Sequence, residues 1–238
     1  MKCDLCPRKC LVDRKKGEKG ICGQTENLKV ARAALHFWEE PCISGDAGSG
    51  AVFFSGCPLH CVFCQNENIA NGTVGKEISL ERLVDIFLEL QEKRANNINL
   101  VTPGHFVPQI VKALDQARKE GLTLPVVYNT SSYETVDTIK MLEGYVDIYL
   151  PDFKYMSPVL SKKYSHAPDY AEVAKAAIAE MVRQTGKAVF VNGDEDNLIL
   201  SGTIVRHLTL PGCMADSMQI LKYLHDTYGD MIYISIMN

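Results

Sequence analysis

From residue 51 onward, short apolar runs of strand length alternate with longer segments of helical periodicity, which leaves few architectures besides a parallel sheet with crossover helices. The runs predict strands over 51–54, 97–101, 125–128, 146–150, 204–210 and 231–236. Between them, Leu80, Leu83, Val84 and Phe87 recur at helical spacing behind Ser79, a residue type suited to an N-cap. Pro108 opens a helix that carries Ile110, Ala113, Leu114 and Ala117 and stops at Gly121. Further helices are predicted over 135–142 and 169–185, the second with Val173, Ala174, Ala177, Ile178, Met181 and Val182 on one face. A last helix carries Met214, Met218, Leu221 and Leu224 as its stripe. Residues 188–200 place two short apolar runs around Asn192-Gly-Asp-Glu-Asp-Asn197, a solvated hairpin rather than a calcium loop. The pattern defines an α/β fold class: a partial (β/α)6 TIM-like barrel rather than the full eight-stranded one.

The end of the first predicted strand leads into Ser55-Gly-Cys-Pro-Leu-His-Cys-Val-Phe-Cys-Gln-Asn66, in which Cys57, Cys61 and Cys64 form a compact Cys-x-x-x-Cys-x-x-Cys set. Electron-transfer 4Fe-4S clusters usually take four thiolates, so three suggest a cluster whose fourth iron is left for another ligand. A zinc site with a distant fourth ligand, or buried structural thiols, are the alternatives that spacing alone leaves open.

This loop resembles that of the radical S-adenosylmethionine (SAM) superfamily, in which an aromatic residue, here Phe63, precedes the last cysteine. More narrowly, Lys29-Val-Ala-Arg-Ala-Ala-Leu-His-Phe-Trp-Glu-Glu-Pro-Cys-Ile-Ser-Gly45 and Val205-Arg-His-Leu-Thr-Leu-Pro-Gly212 resemble the pyruvate formate-lyase-activating-enzyme-like branch, near the AmmeMemoRadiSam radical SAM proteins. The resemblance implies a barrel of the radical SAM type with a 4Fe-4S cluster on Cys57, Cys61 and Cys64. SAM would chelate the open iron, and its reductive cleavage would yield a 5'-deoxyadenosyl radical that abstracts hydrogen. Reduced flavodoxin or ferredoxin would be the electron donor, and a glycyl radical enzyme or another protein a substrate. A different class of reading is a non-catalytic iron-sulfur or zinc-binding scaffold. Resembling sequences continue beyond the position of Asn238, which implies a lower barrel edge left open here.

Chemistry in parallel barrels collects where strands end, so the residues leaving each predicted strand are the candidates. Thr102-Pro103-Gly104-His105 follows the second strand, where resembling activases carry a glycine-rich turn whose backbone contacts the SAM amino group. Thr102 and Gly104 are therefore candidate cofactor contacts, although the usual Gly-Gly-Glu is absent. Asn129 leaves the third strand with groups suited to a ribose. Asp152-Phe153-Lys154 leaves the fourth and resembles the Asp-x-Lys of glycyl-radical-enzyme activases; Lys154 would meet the SAM carboxylate and Asp152 would orient it. Arg206 matches the SAM-contacting arginine of these activases, and its fork suits a carboxylate or ribose hydroxyls. Alternation puts the neighbouring His207 on the opposite face, a second candidate or a histidine satisfied beneath the helices.

Residues 1–46 form a Cys-rich extension ahead of a core domain at 47–238. Cys3, Cys6, Cys10 and Cys22 stand among Lys, Arg and Gly that build no core, which suggests a metal-stapled knuckle holding zinc or a second iron-sulfur cluster. Cys42 and Cys213 are unassigned and read by default as buried thiols, with Cys42 an alternative ligand for the N-terminal set. At 46% hydrophobic and a formal charge of −4, the 238-residue chain can bury one sizeable core and carries no basic signature of nucleic-acid or membrane binding. The start lacks a signal-like apolar run and no segment approaches the roughly 18 apolar residues of a span, so a cytoplasmic protein with reduced thiols is expected.

Overall fold

The computed structural model describes residues 2–194 and 197–238. After a 3-10 turn at Arg14–Lys16 come β1 (Lys29–His36), α1 (Pro41–Ser44), β2 (Ser49–Phe54), α2 (Glu67–Ala70), β3 (Lys76–Glu77) and α3 (Leu80–Glu92). These are followed by β4 (Ile98–Val101), α4 (Val107–Lys119), β5 (Val126–Thr130), α5 (Val136–Lys140), β6 (Ile148–Pro151), α6 (Pro158–Ser165) and α7 (Tyr170–Thr185). The chain closes with β7 (Val189–Phe190), β8 (Ile199–Leu208), α8 (Met214–Tyr228) and β9 (Tyr233–Met237).

Strands β2, β4, β5, β6, β8 and β9 pair in that order and all in parallel, the half-open barrel that the alternation of runs implies. β1 and β3 extend the sheet antiparallel beyond β2, so part of the first 46 residues belongs to the same sheet as the barrel. Neither strand, nor α6, was foreseen: β3 is two residues long, and β1 carries Arg32 amid its apolar positions. β7 pairs antiparallel with β8, forming the expected hairpin; Glu195 and Asp196 of its acidic turn lie outside the described residues.

Local chemistry sets the helix starts. Ser79 accepts a hydrogen bond from the Arg82 amide at 3.1 Å, and Thr135 caps α5 by accepting from Thr138 at 3.2 Å. Pleating then divides each strand between two environments. Ile98, Leu100, Val126, Tyr128 and Tyr149 point outward into a core shared with α3 and α4. Their neighbours Val127, Ile148, Leu150 and Ile204 point inward and pack on Ile43 of α1, forming an apolar floor inside the barrel. The next inward positions along the strands are Asn99, Asn129, Asp152 and Arg206, so the lumen turns from apolar to charged.

Helix α8 departs from the predicted stripe. Met214 and Met218 are 65% and 58% exposed, whereas Ser217, Ile220 and Leu224 are buried. Polar partners set the rotation: Asp216 accepts from the Met156 and Ser157 amides at 3.0 and 2.7 Å, and Ser217 meets His207 at 2.9 Å. Orienting the helix by these bonds leaves its methionines outside. No helix among the described residues is long and apolar enough to cross a membrane.

Candidate active site

A cavity of about 690 Å³ runs through the barrel, bounded on one side by Cys57, Cys61, Phe63 and Cys64 and on the other by Asn129, Asp152, Lys154 and Arg206. The cysteine loop is delivered by the end of β2 and shaped by Gly56, whose φ of +91° is open chiefly to glycine. Ser165 of α6 hydrogen-bonds the Cys61 sulfur at 2.9 Å and is itself bonded to Tyr155 at 2.7 Å. Phe63 packs edge-on against Tyr155 and Tyr164, each at 6.3 Å, which holds the loop to the barrel wall. Burial pushes the Cys57 thiol up to about 12, against the lowering effect of amide hydrogen bonds from Leu59 and His60. A metal that takes the place of its proton would hold it as the thiolate.

Across the cavity, Arg206 is held by all three arms of its guanidinium. Nε donates to Asp152 at 2.9 Å, Nη1 to Glu39 at 2.7 Å and Nη2 to the Asn129 side-chain oxygen at 2.7 Å. Lys154 donates to the second Asp152 oxygen at 2.6 Å. Burial alone would raise the Asp152 carboxyl, but Arg206 and Lys154 hold it below the usual carboxylate range. Burial is the largest single effect on Lys154 and Arg206 and opposes their charge, but the surrounding acidic groups together more than offset it, led by Asp152 for both and joined by Glu39 and Glu40 at Arg206. The site therefore presents two cations and two carboxylates fixed in a largely buried frame.

Glu39 was not anticipated. The segment after β1 passes the end where the parallel strands begin, since His36 pairs with Ser49, and Glu39 rises from it into the lumen. There its second oxygen accepts from Asn99 and Asn129 at 2.9 and 3.0 Å. The adjacent Trp38, 89% exposed, and Glu40 also line the cavity. Burial raises the Glu40 carboxyl, with Arg206 pulling the other way. The only signal for Glu39 in the sequence was its place in the Trp38-Glu39-Glu40 segment, where no strand end drew attention to it.

Thr102 lines the cavity in the left-handed region at φ +54°, a conformation that costs a β-branched residue about 1–3 kcal/mol and is kept where surroundings impose it. Its amide donates to the Asn129 carbonyl at 2.9 Å, which ties two strand ends together. Gly104 does not line the cavity. A Cβ there would lie 2.4 Å from both Glu134 carboxylate oxygens, so Gly104→Ala is expected to displace Glu134 and cost about 1–3 kcal/mol of stability, read by urea denaturation. His207 also lies outside the cavity, with its ring nitrogens on the Phe153 carbonyl at 2.7 Å and on Ser217. Alternation separates it from Arg206 as expected, and the cavity takes the arginine's face. His105 is buried with Nε2 at 2.7 Å from the Ser55 carbonyl, and burial pulls its pKa down to about 3, so the neutral ring donates there.

Glu134 is a buried carboxyl that accepts from Thr130 at 2.8 Å and Tyr128 at 3.3 Å, and burial raises it to about 7. A folded value above the unfolded value of about 4.3 means that stability is fully present below the latter and lost as pH rises through about 7. Glu134→Gln should flatten that dependence and leave the protein more stable than the parent at pH 8, by at most about 4 kcal/mol. Denaturant midpoints at pH 5 and pH 8 check it; an unchanged difference between the two pH values would exclude Glu134 as the source.

The profile of the Radical SAM superfamily matches residues 51–197, more than half of the chain, and the protein belongs to that superfamily. An uncharacterized protein of Methanocaldococcus jannaschii is 28% identical over 215 residues, covering 88% of this chain. The chain spans 57% of that relative's length. Among solved structures, methylornithine synthase (PylB) superposes with a TM-score of 0.54 at 15% identity, covering 76% of this chain and 50% of that one. The FeFe-hydrogenase maturase HydG superposes with a TM-score of 0.52 at 14% identity, covering 76% and 41%. These two likenesses concern the fold, which is that of a radical SAM barrel.

Membership implies a 4Fe-4S cluster and SAM, and the site fits both. Cys57, Cys61 and Cys64 are the only cysteines among the described residues that line the cavity, the three-thiol donor set that leaves one iron open. The charged frame opposite them offers donors for a carboxylate and acceptors for hydroxyl and amino groups.

Proposed function

We propose that this radical SAM enzyme abstracts hydrogen from a segment of another protein, with a glycyl radical enzyme as the first candidate. The observation that carries the reading is one cavity that joins the three-cysteine loop to the Asp152–Lys154–Arg206–Glu39 frame and has Trp38 exposed on its lining. The bound cluster and SAM supply one-electron cleavage of the sulfonium, the hard chemistry that the protein itself need not perform. The residues bind and orient. Lys154, now on Asp152, would meet the SAM carboxylate, Arg206 and Asn129 would meet ribose hydroxyls, and Thr102 would set the strand-end backbone near the amino group. The apolar floor of Ile43, Val127, Ile148, Leu150 and Ile204 closes the lumen to water from below. The likeness of Asp152-Phe153-Lys154 to the Asp-x-Lys of activases supports the choice of substrate, and reduced flavodoxin or ferredoxin is the proposed donor.

The test is anaerobic reconstitution with iron and sulfide, reduction, and chromatography for 5'-deoxyadenosine on addition of SAM. Incubation with candidate glycyl radical enzymes then seeks the glycyl doublet by electron paramagnetic resonance. SAM cleavage without a doublet on any candidate would reject this substrate class. A well-formed cluster whose spectrum ignores SAM would reject turnover altogether and leave the scaffold reading.

A further inference from the structure

The N-terminal cysteines are not used by the cavity, and they stand in a part of the molecule that has no apolar core of its own and is tied to the barrel by polar contacts such as Arg14 on the His105 carbonyl. Residues 2–27 contain no helix or strand beyond the turn at Arg14–Lys16, and the buried residues among them are Cys6, Arg14, Cys22 and Gln24. No apolar cluster forms there. A segment of this length ordered around sulfur rather than hydrocarbon has the composition of a metal-stapled fold. Its backbone is drawn in around the thiols: Cys3 exchanges amide and carbonyl bonds with Val12 and Leu11 at 2.9 and 3.0 Å. Gly20 leaves space for Cys10, whose sulfur would lie 2.6 Å from a Cβ at that position.

The four sulfurs are neighbours without converging. Cys6 lies within electrostatic reach of Cys3 and Cys22, and Cys22 within reach of Cys3 and Cys10. Among the described residues, however, no three Cys, His, Asp or Glu side chains come close enough together to hold one metal ion. Zinc draws its thiolates to about 2.3 Å from a single centre, whereas a cube of four irons holds its thiolates apart by its own width. Cys57, Cys61 and Cys64, which belong to a family defined by a cube, likewise form no ready-made single-ion site. The two sets share a second trait. Cys6 and Cys22 accept amide hydrogen bonds from Arg8 and Gln24, each two residues on, as Cys57 and Cys64 do from Leu59 and Asn66. Amide bonds to sulfur are among the means by which proteins set cluster potentials.

The knuckle is also built against the cavity loop. Arg8 donates to the Pro58 carbonyl at 2.9 Å and to the Ser165 carbonyl at 2.9 Å, next to the two elements that carry Cys57 and brace Cys61. The Cys22 carbonyl lies 2.4 Å from where a Cβ of Gly56 would stand, so the two cysteine loops meet backbone to backbone.

We propose that Cys3, Cys6, Cys10 and Cys22 hold a second 4Fe-4S cluster, closed by four thiolates and seated beside the loop that carries the first. With no open iron, this cluster takes no SAM and its chemistry is confined to gaining and losing single electrons.

The decisive sample is the triple variant Cys57→Ala, Cys61→Ala, Cys64→Ala, reconstituted anaerobically with iron, sulfide and zinc all present. It isolates the N-terminal site, so a failure of the radical SAM assignment cannot imitate a failure here. About four irons and four sulfides per chain, with a cluster signal on reduction by paramagnetic resonance that is unchanged by SAM, are expected. The parent should bind about eight irons, and Cys6→Ser with Cys22→Ser about four. One zinc and no iron in the triple variant, or no metal at all, would overturn the proposal. So would a parent that binds only about four irons and keeps all of them in the Cys6→Ser, Cys22→Ser variant.

Discussion

Replacing Cys57, Cys61 or Cys64 singly with Ala is expected to abolish 5'-deoxyadenosine formation, to the background of a sample without enzyme, while the protein stays folded. Each thiol is one of three anchors for a cube that already lacks a fourth protein ligand, so losing one leaves two bonds to hold it. The fold has little stake in these sulfurs. All three residues are partly exposed, and the loop is held by Phe63 against its tyrosines, the Val62 amide on the Tyr164 carbonyl at 2.9 Å, and Arg8 on Pro58. Circular dichroism and the denaturation midpoint of the metal-free variants should therefore stay close to those of the metal-free parent. Any single variant that still cleaves SAM would remove that cysteine from the ligand set.

The second large effect is expected at Arg206. Truncation to Ala strips partners from two buried carboxylates at once, Asp152 and Glu39, whose side chains are 16% and 10% exposed. Removing one member of such a buried pair costs about 3–5 kcal/mol, because the charge left behind is neither solvated nor neutralised. Lys154 still supports Asp152, and Asn99 and Asn129 still support Glu39, which places the expected loss toward the lower end of that range. Arg206→Lys should recover part of the stability but not the three-way geometry, since an ammonium on a flexible stem cannot reproduce the fork. With the cluster intact in both variants, titration of SAM against the cluster spectrum should show weakened binding in both. Undiminished SAM affinity in Arg206→Ala would assign the arginine to the barrel's architecture alone. Because the Asp152 carboxyl is held below its ordinary value, its contribution to stability is present above about pH 4 and lost as pH falls through the folded value.

Local physics made much of the fold legible. Strands of four to six residues and helices of periodicity 3.6 announce themselves in any window of the chain, and the caps at Ser79 and Thr135 form between residues three apart. The thiols of the cavity loop are equally local, since Cys57, Cys61 and Cys64 lie within eight positions and their spacing is itself the donor geometry. The alternation of Arg206 and His207 was legible too, but not which of them faces the lumen. That depended on Ser217 and the Phe153 carbonyl engaging the histidine from the helix side. Helix α8 was misread for a related reason, because its rotation follows from Asp216 and Ser217 finding polar partners rather than from its methionines finding a core.

The sequence by itself determined the alternating βα plan and the open-sided thiol triplet, because both arise from interactions between residues near one another along the chain. Only the tertiary structure decided the charged frame of the cavity. Glu39 and Arg206 are 167 positions apart, and Asn129 is brought between them by barrel closure. No periodicity encodes such a meeting: a buried guanidinium is stable only where the fold happens to deliver enough acceptors to replace its water.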